Sequence, residues 1–362
     1  MLRSGAAFVT HCARCLFFAD PGDGLLRRCR DAGFARRARI FSPRPLPRAR
    51  GAHLADLPPE CQSVASYLKA VVRDIEGCFC NMPKEAIRLG LRSELHKLEA
   101  KFGYDGITVP KRAKKIPCTF KKSTKKGMVR IPFEDLMDIM EFALDNTVMR
   151  DFDGQLWRQR SGIPMGDAHS PGMCNIACAW MEDEWLQTVH PDSREHFTAR
   201  RYMDDLLIFY ARSSGWDEER FLRDLCGECY LPPLKLEDGG EGTFLETSFR
   251  ITETNQIQHW LKNVNVAGAA PVTWRYAHYD SHTNFDQKRA VMMACLRKVH
   301  NMASDSAVLR TSAIQKVAEF ARLRYPRKLL WTACTTMAVN TQDPALRNSW
   351  FRAREQIPYA QA

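Results

Sequence analysis

The sequence predicts an α+β protein in which strands and helices are interspersed up to about residue 260 and only helices follow. Short apolar, β-branched runs recur, from Tyr67 to Asp74, from Arg201 to Tyr210 and from Phe244 to Ile251, as strands require. Between them apolar residues return at helical spacing, as in Ile87, Leu91, Leu95 and Leu98. Beyond Asn284 the helical period dominates.

Taken in order, YLKAVVRD (Tyr67 to Asp74) is a strand that ends on an aspartate. Asn81 and Pro83 open a helix that Gly103 stops. From Lys111 to Arg130 lysines and arginines run without one acid, broken by Pro117 and Gly127. The segment is a loop or hairpin, either solvated or contacting phosphate. Phe133, Met137, Met140 and Leu144 mark a second helix, the turn-rich SGIPMGDAHSPG (Ser161 to Gly172) follows, and a third helix covers about Cys174 to Leu186. RYMDDLLIFY (Arg201 to Tyr210) is a hairpin with two aspartates at its turn. FLETSFRI and the region of Trp260 are further strands. Val291, Leu296 and Val299, then Ile314, Val317, Phe320 and Leu323, give two helices, and Pro326 restarts the chain into another.

The 362 residues are 45% hydrophobic and 26% charged, enough to bury a core in two or three subdomains. The formal charge of +11 favours a polyanionic partner through counterion release. Several of the thirteen cysteines (Cys174, Cys178, Cys295, Cys334) lie inside apolar stretches and read as reduced, buried thiols of an intracellular protein. Cys12/Cys15 and Cys226/Cys229 have metal-ligand spacing but stand far apart, so ordinary thiols are the plainer reading. Residues 1–55 hold many arginines, several prolines and no lysine. They form a basic arm, disordered or a transit segment, which suggests a nuclear or organellar protein. No apolar run is long enough to span a membrane, so no membrane partner is expected.

The chemistry lies in the carboxylates. Asp204 and Asp205 at one hairpin turn repel each other unless a cation neutralises them, and oxygen-only ligands suit magnesium. Asp74, at the end of its own strand, supplies a third carboxylate. Three such groups can hold two ions about 4 Å apart, one activating a primer 3′-hydroxyl and the other stabilising the leaving pyrophosphate. A pair of aspartates alone is also compatible with a solvated turn.

RYMDD (Arg201 to Asp205), GIPMGDAHSP (Gly162 to Pro171) and RDIEGCFCNMP (Arg73 to Pro83) resemble three motifs of the reverse transcriptases, in the family's order and over about half of the chain. The stretch from Asn146 through WRQRSGIPMG to SPGMCNIACAWMEDEW, with the later Tyr325-Pro326, is most similar to the Penelope-like and telomerase-like branch. The resemblance implies a right-hand polymerase palm, an antiparallel sheet with helices on one face, followed by an α-helical thumb. It places the palm and residual fingers over 56–250 and the connection and thumb over 251–362, with the fingers largely missing. The function implied is RNA-templated DNA synthesis on RNA or DNA templates carrying a DNA primer, with deoxynucleoside triphosphates as substrates. The alternatives are a truncated, inactive remnant that binds nucleic acid, and a polymerase whose product is RNA.

The same resemblance assigns roles. Asp74 and Asp204 bridge two Mg2+ ions (or Mn2+), Asp205 supports them, and the backbone carbonyl of Ile75 is a further ligand. Phe79 is the aromatic gate against a ribose 2′-hydroxyl, or else a core phenylalanine. Gly162 and Gly166 let the backbone approach the nucleotide, Pro164 stiffens that turn, and Met165 packs the nucleotide or the core. Tyr202 and Met203 line the primer terminus, and Lys235 faces pyrophosphate or solvent. Phe244 and Leu245 grip the primer. Glu182, Asp183 and Glu184 read as a solvated helix face.

Overall fold

The computed structural model describes residues 67–111, 119–121, 127–167, 169–190, 193, 196–212, 216–253, 256–262 and 275–357. The arginine-rich arm, Cys12/Cys15 and most of the acid-free block lie outside the described residues. The chain divides into two units. Residues 73–239 build the first; residues 67–72 and 240–357 belong to the second.

β1 (Tyr67–Ile75), which enters the first unit at Arg73, leads through Gly77 into a single helical turn, α1 (Cys78–Asn81), and then α2 (Lys84–Phe102). Asn81 therefore closes α1, and Pro83, whose missing N–H costs nothing at a helix start, precedes α2. Ala86, Ile87, Leu91 and Leu95 bury one face of α2, and Gly103 ends it in the left-handed region (φ 61) with its N–H on the Glu99 carbonyl at 2.8 Å. β2 (Gly106–Pro110) and β3 (Met128–Pro132) pair antiparallel. In α3 (Phe133–Asp145) the buried face is Phe133, Leu136, Met140 and Leu144, with Leu136 in the place expected for Met137. A small exposed hairpin follows, β4 (Val148–Arg150) with β5 (Leu156–Arg158).

α4 (Ser170–Thr188) is apolar on most sides and packs along α2. Gly90 makes that contact close. A Cβ on it would lie 2.9 Å from the Ile176 carbonyl oxygen, so a residue that costs about 1 kcal/mol in a helix interior is repaid by helix–helix packing. β6 (Phe197–Tyr202), β7 (Asp205–Arg212), α5 (Glu218–Glu228) and β8 (Leu236–Asp238) complete the unit. The sheet order is β6-β7-β1-β8, with β6 and β7 antiparallel and β1 and β8 antiparallel. Leu206 to Tyr210 are buried without alternation, as a central strand covered on both faces requires.

The second unit holds a three-stranded antiparallel sheet, in the order β11-β10-β9, from β9 (Thr243–Phe244), β10 (Thr247–Ile251) and β11 (Ile257–Leu261). Four helices follow: α6 (Phe285–Met302), α7 (Ser306–Arg322), α8 (Arg327–Val339) and α9 (Pro344–Glu355). Asn284, Asp305 and Asp343 cap α6, α7 and α9 through side-chain acceptors, each worth about 1 kcal/mol. Leu296, Leu309, Phe320, Cys334 and Trp350 are fully buried at their centre. Val291, placed on the buried face by periodicity, is 43% exposed, and Met292 takes its place at 0%. The α+β class agrees with the sequence. Among the described residues no helix is long and apolar enough to cross a membrane.

Candidate active site

Asp74, the penultimate residue of β1, pairs in register with Glu237 of β8, and Ile75 donates its N–H to the Asp204 carbonyl at 3.1 Å. The next N–H, of Glu76, donates to the Lys235 carbonyl at 3.0 Å. The sheet thus brings the end of one strand to the tip of the β6–β7 hairpin and assembles the three aspartates. Burial holds the Asp74 carboxyl above the usual carboxylate range, and the Asp204 charge adds to it, while the Ile75 N–H pulls it partly back. Asp205 is raised by burial, then by the charges of Asp204 and Asp74. Among the described residues none of the three carboxylates has an ion-pair partner.

An uncompensated set of oxygen donors is the environment that a hard divalent cation neutralises. The three carboxylates do not converge on one point, because among the described residues only a set of three thiols brings its donor atoms within 4.8 Å of one another. The donor chemistry fits.

The hairpin turn is Met203-Asp204, between Tyr202 and its register partner Asp205. Met203 takes φ 57, where a side chain costs about 1–2 kcal/mol. Its carbonyl is held by Arg201, whose Nη1 donates to it at 2.9 Å and to Asn175 Oδ1 at 2.9 Å. The Arg201 Nε donates to the carboxylate of Glu182, which also accepts from the Tyr230 hydroxyl at 2.6 Å. Glu182 is fully buried, so the solvated face read for it is wrong; Asp183 pairs with Lys97 at 3.1 Å, and only Glu184 is exposed. Burial pushes the Glu182 carboxyl up to about 7 against the pull of Arg201 and Tyr230. Asn175, Glu182, Arg201 and Tyr230 form the hairpin's support, which the sequence reading missed.

The GIPMG turn touches α1 through its backbone. Ile163 donates its N–H to the Phe79 carbonyl at 2.8 Å. Gly162 has φ 67, and a Cβ there would stand 2.3 Å from the Cys80 oxygen and 2.4 Å from that of Phe79. The approach that demands glycine at 162 is therefore made by the chain itself. Gly166, at φ 96, faces open space. Pro164 and Phe79 are half-buried, and Met165 is 71% exposed, which leaves the core reading of Met165 without support. Tyr202 and Lys235 are exposed beside the same strand ends. Phe244 and Leu245 belong to the second unit, where Phe244 is half-buried in β9 and Leu245 takes φ 54. Cys226 is half-buried and Cys229 buried, and no third donor joins them among the described residues.

No family model matches the sequence, and no curated protein matches it. Solved structures do. The fold is similar to telomerase from Candida albicans in complex with a TWJ fragment of telomeric RNA, at 12% identity and TM-score 0.47, covering 80% of this chain and 46% of that one. Apo telomerase from Candida tropicalis gives 11%, 0.41, 82% and 48% in the same terms. The Sicinivirus 3Dpol RNA-dependent RNA polymerase gives 12%, 0.38, 80% and 52%. The chain spans about half the length of these structures.

Proposed function

We propose that this chain is a template-directed nucleotidyl transferase of the reverse-transcriptase kind, extending a DNA primer with deoxynucleotides along an RNA template. The observation that carries the reading is the junction of Ile75 with Asp204, which sets Asp74, Asp204 and Asp205 at adjoining strand ends, where among the described residues none of them has an ion-pair partner. Two magnesium ions held by these carboxylates would supply the activation of a 3′-hydroxyl and the neutralisation of a leaving pyrophosphate.

The chain's own residues do the positioning. Arg201 fixes the carbonyl of Met203 and with it the direction of Asp204. Phe79, whose carbonyl accepts from the Ile163 N–H, would restrict the sugar, and exposed Met165 would offer an apolar contact surface to a base. Lys235, exposed beside the strand end, is a cation for phosphate. Basic residues and the +11 charge favour the polyanionic substrate.

The test is primer extension on a DNA primer annealed to an RNA template, with magnesium and deoxynucleotides, comparing the parent with Asp204→Asn. Extension that falls by about a thousandfold or more in the variant supports the reading. A folded parent that binds the duplex yet adds no nucleotide overturns it.

A further inference from the structure

Three thiols meet in the first unit, away from any role assigned above. Cys78 opens α1, three residues after Ile75, and Cys174 and Cys178 stand one helical turn apart on α4, on the same face. Their sulfurs all lie within 4.8 Å of one another, Cys78 and Cys174 at 3.4 Å. The three residues are 2%, 0% and 0% exposed. Among the described residues no other trio of His, Cys, Asp or Glu donors is so compact.

A single buried cysteine is well explained as a small apolar side chain. Three in mutual contact are different, because their lone pairs converge on one volume. A triangle no wider than 4.8 Å has a point within about 2.8 Å of every corner. Adjustments of about half an ångström then reach the ~2.3 Å of a zinc–thiolate bond. Soft sulfur donors reject magnesium and select zinc or copper(I), so this site and the carboxylates take different ions.

We infer that Cys78, Cys174 and Cys178 form a three-thiolate site for a thiophilic d10 cation, zinc(II) or copper(I), which pins α1 to α4. Each S–H gives its proton to solvent as its sulfur–metal bond forms, so up to three protons leave per ion and nothing is oxidised. With the sulfurs closed to solvent, the ion enters as the chain folds. The inference is independent of the polymerase reading.

The full chain is produced with zinc(II), or anaerobically with copper(I), and dialysed. Metal per chain is then measured by emission spectrometry and its ligands by X-ray absorption. About one ion per chain, ligated by three sulfurs, is expected with one of the two metals, and the metal that is retained identifies the occupant. Cys174→Ser and Cys178→Ser should lose at least tenfold in retained metal, while Cys226→Ser and Asp204→Asn keep it. Should the serine variants fail to fold, the ligand set of the parent decides alone. A folded parent that retains neither metal, or holds one through nitrogen and oxygen, overturns the site, and so does full retention in a folded Cys174→Ser.

Discussion

The N–H of Ile75 and the carbonyl of Asp204 are joined at 3.1 Å, which ties the end of β1 to the tip of the β6–β7 hairpin. Carboxylates so fixed cannot relax their repulsion by drifting apart, and neutralisation by an ion or a proton is the remaining route.

Divalent ions should therefore stabilise the protein. Asp74 and Asp205 have folded values above the 3.8 of the unfolded chain, so the native state binds more protons in the interval between. Stability without divalent ions falls as pH rises past 3.8, and the penalty is complete above the raised values. Magnesium should raise Tm at pH 7.5 by more than near pH 3.8. Asp205→Asn should lose that response while being no less stable than the ion-free parent. A Tm that ignores magnesium at both pH values would count against the site.

Removing Arg201 should produce a pH-sensitive protein. Arg201→Met strands the buried Glu182 carboxylate and frees the Met203 carbonyl, at a cost of about 3–5 kcal/mol near pH 8. The Glu182 carboxyl stands at about 7 with Arg201 beside it and rises further without it. Folded above unfolded means that the penalty shrinks as pH falls through the folded value, so urea unfolding at pH 6 should find the variant closer to the parent than at pH 8. Primer extension should drop by about 10–100-fold from the loosened turn.

Two glycines of one turn should respond unequally. Gly162→Ala drives a methyl into the carbonyls of Cys80 and Phe79 and should cost about 3 kcal/mol. Gly166→Ala meets open space and costs only its backbone conformation, about 1 kcal/mol. Denaturant midpoints of both, with equal slopes, measure the difference.

Phe79→Ala should admit ribonucleotides that the parent rejects, read as the ratio of incorporation efficiencies for ribo- and deoxynucleotides. A rise of about tenfold or more is expected, because removing the ring opens room for the extra hydroxyl. An unchanged ratio would leave Phe79 as a packing residue only.

The aspartates were legible because their cost is local: two adjacent charges at a turn need a reason wherever they occur. The strands around them were legible from apolar runs, and Gly103 from its position after the last helical turn. The support of the hairpin was not. Arg201 finds Asn175 and Glu182 26 and 19 residues away, and Glu182 stands beside Asp183 and exposed Glu184 in an acidic run that reads as solvated. One signal was present, since Asn175, Cys178 and Glu182 recur at helical spacing on one stripe with buried Cys174 and Met181 beside it. Gly162 was recognised as necessary, but its neighbour is the chain itself, which spacing alone does not reveal.

The bond between Ile75 and Asp204 also sets a timetable. Its partners are 129 positions apart (204 minus 75), so the centre does not exist during synthesis until β7 has emerged and docked on β1. Closing so long a loop is slow relative to forming the local turns of α2 and α4, because entropy must be lost before any contact rewards it. A partly folded chain that already holds these helices thus lacks the assembled carboxylates. If the proposed activity holds, turnover would report completion of the sheet rather than the presence of helical structure, and would be a stricter measure of correct folding than circular dichroism.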